Sequence, residues 1–279
     1  MTEPRARRGT FLERVWAAAD RRDSLVCVGL DPEPERFPAS LRSQPRAVFE
    51  FNRRIVDAVA DHACCFKPQF AHYAALGRED ELHATITYIR EQHPDIPVIL
   101  DSKRGDIGNT AERYAREAFV RYDADAVTVN PYLGGDTLQP FLAWQDRGVI
   151  VLCRTSNPGA RDFQDLSVDG KRLYRVVAEK AVSDWNANRN CLLVIGATYP
   201  AELAEVRAVV GDLPFLVPGI GAQGGDVEAA VKAGRTPDGR GLLINSSRAI
   251  LYASAGEDFA EAARDATRRL RDEINRHRR

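Results

Sequence analysis

"PVILDSKRGDIGNTAERYAREAFVRY", residues 97–122, joins two patterns of different period. Its first four residues, ahead of Asp101, are an apolar run without polar alternation, the mark of a strand buried on both faces. From Asn109 onward apolar residues return at helical spacing. Between the two stand Asp101, Lys103, Arg104 and Asp106, charges that are costly at the end of a buried strand unless they pair or do chemistry. A strand, a polar end and a helix make one βα unit, and the rest of the chain repeats it.

Short runs rich in Val, Ile, Leu and Cys recur: "LVCVGL" (25–30), "CCFK" (64–67), "AVTVN" (126–130), "VIVLC" (149–153), "CLLVIG" (191–196), "PFLVP" (214–218) and "GLLIN" (241–245). Helical periodicity marks 47–62, 80–93, 109–122, 171–188, 200–211 and 225–234. Eight strand-like runs, each followed by helix or loop, predict an α/β fold of the (β/α)8 TIM-barrel type. A doubly wound open sheet is the other arrangement of such units. The count of eight, with no linker or break in composition, favours a single barrel domain over residues 1–279. Within it, residues 1–24 form an N-terminal helix capping the barrel bottom, and 257–277 form the last outer helix. Two stretches, 154–170 and 234–241, exceed ordinary loop length, which marks them as functional or disordered.

Composition narrows the partners. The 279 residues are 44% hydrophobic and 28% charged, a soluble globular balance. Lys and Arg total 39 against 40 Asp and Glu, so no global field favours nucleic acid or an anionic membrane. The Arg-rich ends, "PRARRG" (4–9) and "RLRDEINRHRR" (269–279), read as solvated termini. No apolar run reaches the ~20 residues of a membrane span, and no signal-peptide core is present. Cys27, Cys64, Cys65, Cys153 and Cys191 lie in apolar runs without CxxC or CxxH spacing, which points to reduced thiols in a cytoplasmic protein and to no metal site.

In a barrel of this type the chemistry sits where strands end. There the chain places Asp31, Lys67, Asp101 with Lys103, Asp106, Asn130, Thr155 and Ser156. Asp101 and Lys103, two apart on a strand, share a face, and Lys67 on the neighbouring strand is within reach. Asp106, beyond the strand, would complete an alternating Lys–Asp–Lys–Asp line. An ion-pair network that merely closes the barrel top is the alternative. "GIGAQGG" (219–225) and "NSSR" (245–248) follow the last two strands, where backbone N–H groups and helix N-termini bind phosphate. Gly219, Gly221 and Gly224 also match GxGxxG. That match lies late in the chain and the next strand ends in Asn245, so a single phosphate is favoured over a dinucleotide. The five histidines do not cluster with carboxylates and read as surface or core residues.

These residues together resemble orotidine 5′-phosphate decarboxylases. "LDSKRGDIGNTA" resembles the D-x-K-x-x-D-I-x-N-T signature, and "GLDP" (29–32), "FKPQ" (66–69), "TSNPGA" (155–160), "VPGIGAQGGD" (217–226) and "INSSRAILYA" (244–253) occur in that family's order. The inserted loops look like its longer bacterial subgroup, type 2. The resemblance implies a homodimeric barrel that converts orotidine 5′-monophosphate to UMP and CO2 with no metal and no organic cofactor. It implies that Lys103 protonates C6, that Asp101 faces the substrate carboxylate, and that Lys67 bridges it to the ribose. By the same resemblance Asp31 contacts the ribose, while Asp106 and Thr110 reach the partner subunit's site. Ser156 would read the pyrimidine edge, with Gln223, Ser247 and Arg248 at the phosphate. Ser247 stands where smaller members have Gly, and Tyr252 comes one position late, so it is left out of the site.

Three other readings use the same residues. A sister phosphosugar decarboxylase or synthase would hold Mg2+ through DxKxxD, but strand two ends in the cation Lys67. A Schiff-base aldolase would need a desolvated Lys103, not one flanked by two aspartates. A non-catalytic phosphate-ligand sensor has no use for a paired Asp–Lys–Asp.

Overall fold

A computed structural model of the chain describes residues 9–220 and 226–279. Eight parallel strands form one sheet: β1 (Val26–Leu30), β2 (Cys65–Pro68), β3 (Ile99–Arg104), β4 (Ala126–Val129), β5 (Gly148–Arg154), β6 (Cys191–Ile195), β7 (Phe215–Val217) and β8 (Leu242–Ser246). Neighbours run β2–β1–β8–β7–β6–β5–β4–β3. The two ends of that order also meet. Phe66 bridges Val98, Gln69 bridges Asp101, and the Phe66 amide donates to the Pro97 carbonyl at 3.0 Å. An open doubly wound sheet would leave two free edges; here the sheet closes into a TIM barrel.

Helices cover the outside: Ala47–Val59, Glu79–Gln92, Gly108–Arg116, Gly135–Leu142, Leu173–Ser183, Pro200–Val210 and Val227–Gly234 between strands, and Phe259–Arg278 after β8. The helix Gly135–Leu142 has no signal in the periodicity, being eight residues long with Pro140 inside it. Gly108–Arg116 continues as a π turn over Glu117–Arg121. That turn carries Glu117 to Arg104, whose Nε and Nη2 donate to Glu117 Oε2 at 2.9 and 2.7 Å.

The helix Phe11–Arg22 starts at a capping box, with the Glu13 amide donating to Thr10 Oγ1 and the Thr10 amide to Glu13 Oε2. Its Phe11 packs against Gly148 at the start of β5, where a Cβ would lie 2.4 Å from the Phe11 ring. Arg14 donates to Asp125 Oδ1 at 3.0 Å, and Asp125 Oδ2 accepts from the Val98 amide at 2.8 Å. This helix therefore seals the N-terminal end of the barrel and leaves the other end open. The stretch 234–241, expected to be functional or disordered, is a structural tie at the closed end: Arg240 Nη2 reaches both carboxylate oxygens of Asp20 at 2.9 and 2.7 Å. The stretch 154–170 is ordered too, with a 3-10 turn (Pro158–Asp162) and one strand of a short hairpin that pairs Ser167–Val168 with Lys171–Arg172.

One aromatic column ties the fold to its open end. Phe51 stacks on Phe37 at 4.1 Å and on Phe259 at 5.0 Å, with Tyr252 at 5.9 Å. The Tyr252 hydroxyl donates to the Asp31 carbonyl at 3.2 Å and accepts from the Glu33 amide at 2.6 Å. Tyr252 thus holds the backbone that carries Asp31. Phe51→Ala empties a fully buried position in that column. It is expected to lower unfolding free energy by about 3–5 kcal/mol in urea titrations; a loss under about 1 kcal/mol would show that the column is not a support.

Candidate active site

Three strand ends converge at the open mouth. Lys67 is the last residue but one of β2, Asp101 lies in β3, and Thr128 comes from β4. Lys67 Nζ donates to Asp101 Oδ2 at 3.0 Å, and Lys103 Nζ donates to Asp101 Oδ1 at 2.7 Å. Thr128 Oγ1 donates to the same Oδ1 at 2.8 Å while accepting from the Ser102 and Lys103 amides at 3.0 and 2.9 Å. A buried charge destabilises unless paired and hydrogen-bonded. Burial opposes the charge on Asp101, but Lys67 and Lys103 outweigh it and hold the carboxyl well below the usual range. Burial likewise opposes the charge on Lys67, and Asp101 and Asp31 outweigh it, raising its pKa. Both groups are ionised at neutral pH.

The two lysines differ in exposure. The Lys67 side chain is 4% exposed and that of Lys103 44%, so Lys103 is the ammonium offered to the cleft. Regular alternation is not what presents it. β3 slips register against β4 between Leu100 and Arg104, and Lys103 takes a left-handed backbone with φ of 47°. Such a residue costs of order 1–3 kcal/mol in strain, and Thr128 holds it by bonding the two amides of the bulge.

The cleft above this floor encloses about 750 Å³. On one side stands Asp31, whose Oδ1 is buried with no hydrogen-bond partner among the described residues. After the neighbouring strand β8 come Ser247 and Arg248, the latter opening the short helix Arg248–Leu251. Gly29, of "GLDP", lets β1 approach: a Cβ there would lie 1.9 Å from Ser247 Oγ. A third wall comes from the loop after β5, with Ser156 at its base. Gly196 allows that approach, since its Cβ would lie 2.9 Å from that of Ser156.

The structure thus brings together Asp31, Lys67, Asp101, Lys103, Ser156, Ser247 and Arg248 around one cleft. Asp106 and Thr110 do not line it. Asp106 Oδ1 accepts from the Ile107 amide at 2.8 Å, and Thr110 Oγ1 lies 3.5 Å from Asn109 Oδ1. Within one chain the alternating line therefore has three members, not four. Gln223 lies outside the described residues, as do Gly221 and Gly224. Asn130 is corrected: β4 ends at Val129, and Asn130 turns outward to accept from the Tyr132 amide at 3.0 Å. Thr128 is the contribution of β4, and its signal was a hydroxyl inside the apolar run "AVTVN". Asn245, the first residue of "NSSR", lines the cleft with its Oδ1 buried and unpartnered among the described residues. All five cysteines are buried free thiols, and burial pushes Cys191 up to about 12.

The sign of the pH dependence follows from these shifts. The lowered Asp101 pKa adds stability that is complete above the ordinary carboxylate value of 3.8 and is lost as pH falls toward the folded value. The raised Lys67 pKa adds stability that is complete below 10.5 and is lost as pH rises through the folded value. Asp101→Asn leaves Lys67 buried and unpaired, and is expected to cost about 3–5 kcal/mol at neutral pH. Urea titrations of both proteins at several pH values should show that gap shrinking once pH drops below 3.8. A gap independent of pH would contradict the assignment.

The chain matches the sequence model described as "Orotidine 5′-phosphate decarboxylase / HUMPS family" over residues 24–265. It is 62% identical over 268 residues to an orotidine 5′-phosphate decarboxylase of Azoarcus sp., covering 96% of this chain and 99% of that protein. A Cupriavidus necator protein of the same name is 61% identical over 269 residues, with the same coverage. Among solved structures, the Leishmania donovani OMP decarboxylase is 40% identical with a TM-score of 0.83, covering 96% of this chain and 98% of its own. Conversion of orotidine 5′-monophosphate to UMP is the reaction those relatives are named for. The strand-end cluster, the closed barrel and these likenesses agree: the chain belongs to the orotidine 5′-phosphate decarboxylase / HUMPS family.

Proposed function

We propose that this chain decarboxylates orotidine 5′-monophosphate to UMP and CO2, the last step of de novo pyrimidine synthesis, without an organic cofactor or metal. The observation that carries the reading is the Asp101 carboxylate clamped between Lys67 and Lys103 on the floor of the cleft. Loss of CO2 leaves the bonding pair on C6 of the pyrimidine. An ammonium already in place stabilises that charge and then quenches it, and Lys103, the exposed one of the pair, does both. Its proton goes to C6, and the neutral amine regains one from solvent. Asp101 faces the substrate carboxylate, and at 4 Å that repulsion is about 4 kcal/mol with an effective dielectric of 20. It is relieved as CO2 departs, so it acts on the bound substrate more than on the transition state.

The rest of the cleft serves to hold the nucleotide. Asp31, with its open acceptor, takes a ribose hydroxyl, and Lys67 links Asp101 to the same sugar. Ser247 with its amide, Arg248 and Gln223 take the phosphate, and Ser156 reads the pyrimidine edge. Remote binding at the phosphate holds the strained pose. The donor set favours this reading over a metal-dependent phosphosugar reaction, because two ammonium groups and Thr128 already occupy the oxygens of Asp101. The enzyme acts as a cytoplasmic homodimer in which Asp106 and Thr110 serve the partner's site. Their position outside this chain's own cleft supports that role.

Purified, EDTA-treated protein should remove the orotate absorbance of orotidine 5′-monophosphate; no loss, or a strict need for added metal, contradicts the reading. Lys103→Ala should lower kcat by at least about 10³-fold while UMP binding persists. Near-normal turnover by that variant rejects the proton-donor role. Mixing Lys103→Ala with Asp106→Ala chains should restore up to about a quarter of wild-type activity, since each mixed dimer holds one intact site. Failure of the mixture to exceed its parents would place Asp106 outside the partner's site.

A further inference from the structure

Arg154, the last residue of β5, is fully buried, yet no substrate-facing role falls to it. The strand slips register against β6 between Leu152 and Arg154, and the Arg154 guanidinium lies 4.3 Å from the Tyr199 ring and 5.8 Å from that of Tyr174. From there Nη1 donates to Gln164 Oε1 at 3.3 Å, and Nη2 pairs with Asp165 at 3.3 Å. Gln164 is engaged on both sides of its amide. Its Oε1 accepts from the Thr155 amide at 2.8 Å, and its Nε2 donates to Thr155 Oγ1 at 2.9 Å. The Gln164 amide also donates to the Ala160 carbonyl at 2.8 Å. Thr155 and Gln164, nine residues apart, are thereby closed into one loop that contains Ser156, Asn157 and Phe163. All five of these residues line the cleft.

We propose that Arg154 and Gln164 form a clasp that fixes the position of Ser156, making them positioning residues for recognition of the pyrimidine base. The inference rests on the reading of Ser156 as the residue facing that base. A loop spanning residues 155–164 loses conformational freedom when its ends are tied, and a guanidinium held between two rings is a rigid anchor for the tie. Gly196 presses on Ser156 from the other side, so the backbone at Ser156 is set between a fixed strand end and the clasp. The burial of Arg154 follows: a cation that only balanced Asp165 would lie in solvent, as Arg172 does beside the same carboxylate.

The test compares two probes, UMP and ribose 5-phosphate, which share sugar and phosphate and differ by the base. Gln164→Leu, at a half-buried position, keeps size and removes both bonds to Thr155. Its Kd for UMP is expected to rise about tenfold, the worth of one well-placed hydrogen bond, while its Kd for ribose 5-phosphate changes less than about twofold. KM should rise with Kd for UMP while kcat at saturation stays within about threefold, because the clasp supports binding of substrate and transition state alike. Arg154→Lys, which keeps the charge and loses the fork, should show the same base-selective loss, partly restored relative to Arg154→Met. Equal losses for both probes, or a lowered Tm with unchanged KM, overturn the clasp. Ser156→Ala separates the two layers. If it shows the base-selective loss and Gln164→Leu does not, the clasp alone fails; if Ser156→Ala shows none, the reading of Ser156 fails and the clasp with it.

Discussion

A carboxylate held between two ammonium groups organises the open end of this barrel. Asp101 takes Lys67 on one oxygen and Lys103 with Thr128 on the other, which keeps it ionised. Three charges at the floor of a cleft repel, attract and desolvate one another strongly enough to fix all three side chains. In the proposed reaction, a side chain free to rotate could not both oppose the substrate carboxylate and hold a proton donor beside the carbon that loses it. The geometry exposes one of the two lysines, Lys103, to the cleft and keeps the other as a buried counter-charge.

The surrounding structure serves that arrangement. The N-terminal helix fills the closed end through Phe11 at Gly148, and so confines ligands to the mouth where strands end. The column Phe37–Phe51–Phe259 with Tyr252 braces the segment bearing Asp31. Register slips near the ends of β3 and β5 each take a side chain, Lys103 and Arg154, out of regular alternation. In one case the result is an ammonium facing the cleft, in the other a guanidinium buried behind the loop. Gly29 and Gly196 lack the Cβ atoms that would otherwise collide with Ser247 and Ser156 at the wall of the cleft.

Much of this was legible in the chain. Strands buried on both faces read as unbroken apolar runs, and all eight were found within a few residues of their ends. Lys67, Asp101 and Lys103 stood at those ends, where paired charges are conspicuous. What escaped depends on distant neighbours. Thr128 acquires its role only when β4 lies in register beside the bulge of β3, and nothing local announces that bulge. Arg154 reads as the first residue of a loop until Tyr174 and Tyr199 are brought around it by the fold. The helix Gly135–Leu142, too short for a periodic signal and interrupted by Pro140, is set by its packing. Spacing put Asp106 in one line with Lys67, Asp101 and Lys103, yet neither it nor Thr110 lines this chain's own cleft; a use for them in a partner's site came only from the resemblance, which implies a homodimer.

Proton transfer between Lys103 and C6 is the central claim, and it has a direct measurement in the reverse direction. An ammonium that delivers a proton to C6 must also, as the amine, be able to remove it from bound UMP. Saturating UMP incubated with the enzyme in D2O and followed by NMR should lose its C6 proton signal as deuterium enters. Lys103→Ala at equal UMP occupancy should leave that signal intact. Exchange by Lys103→Ala at the wild-type rate would contradict the account, because some other group would then be handling the proton.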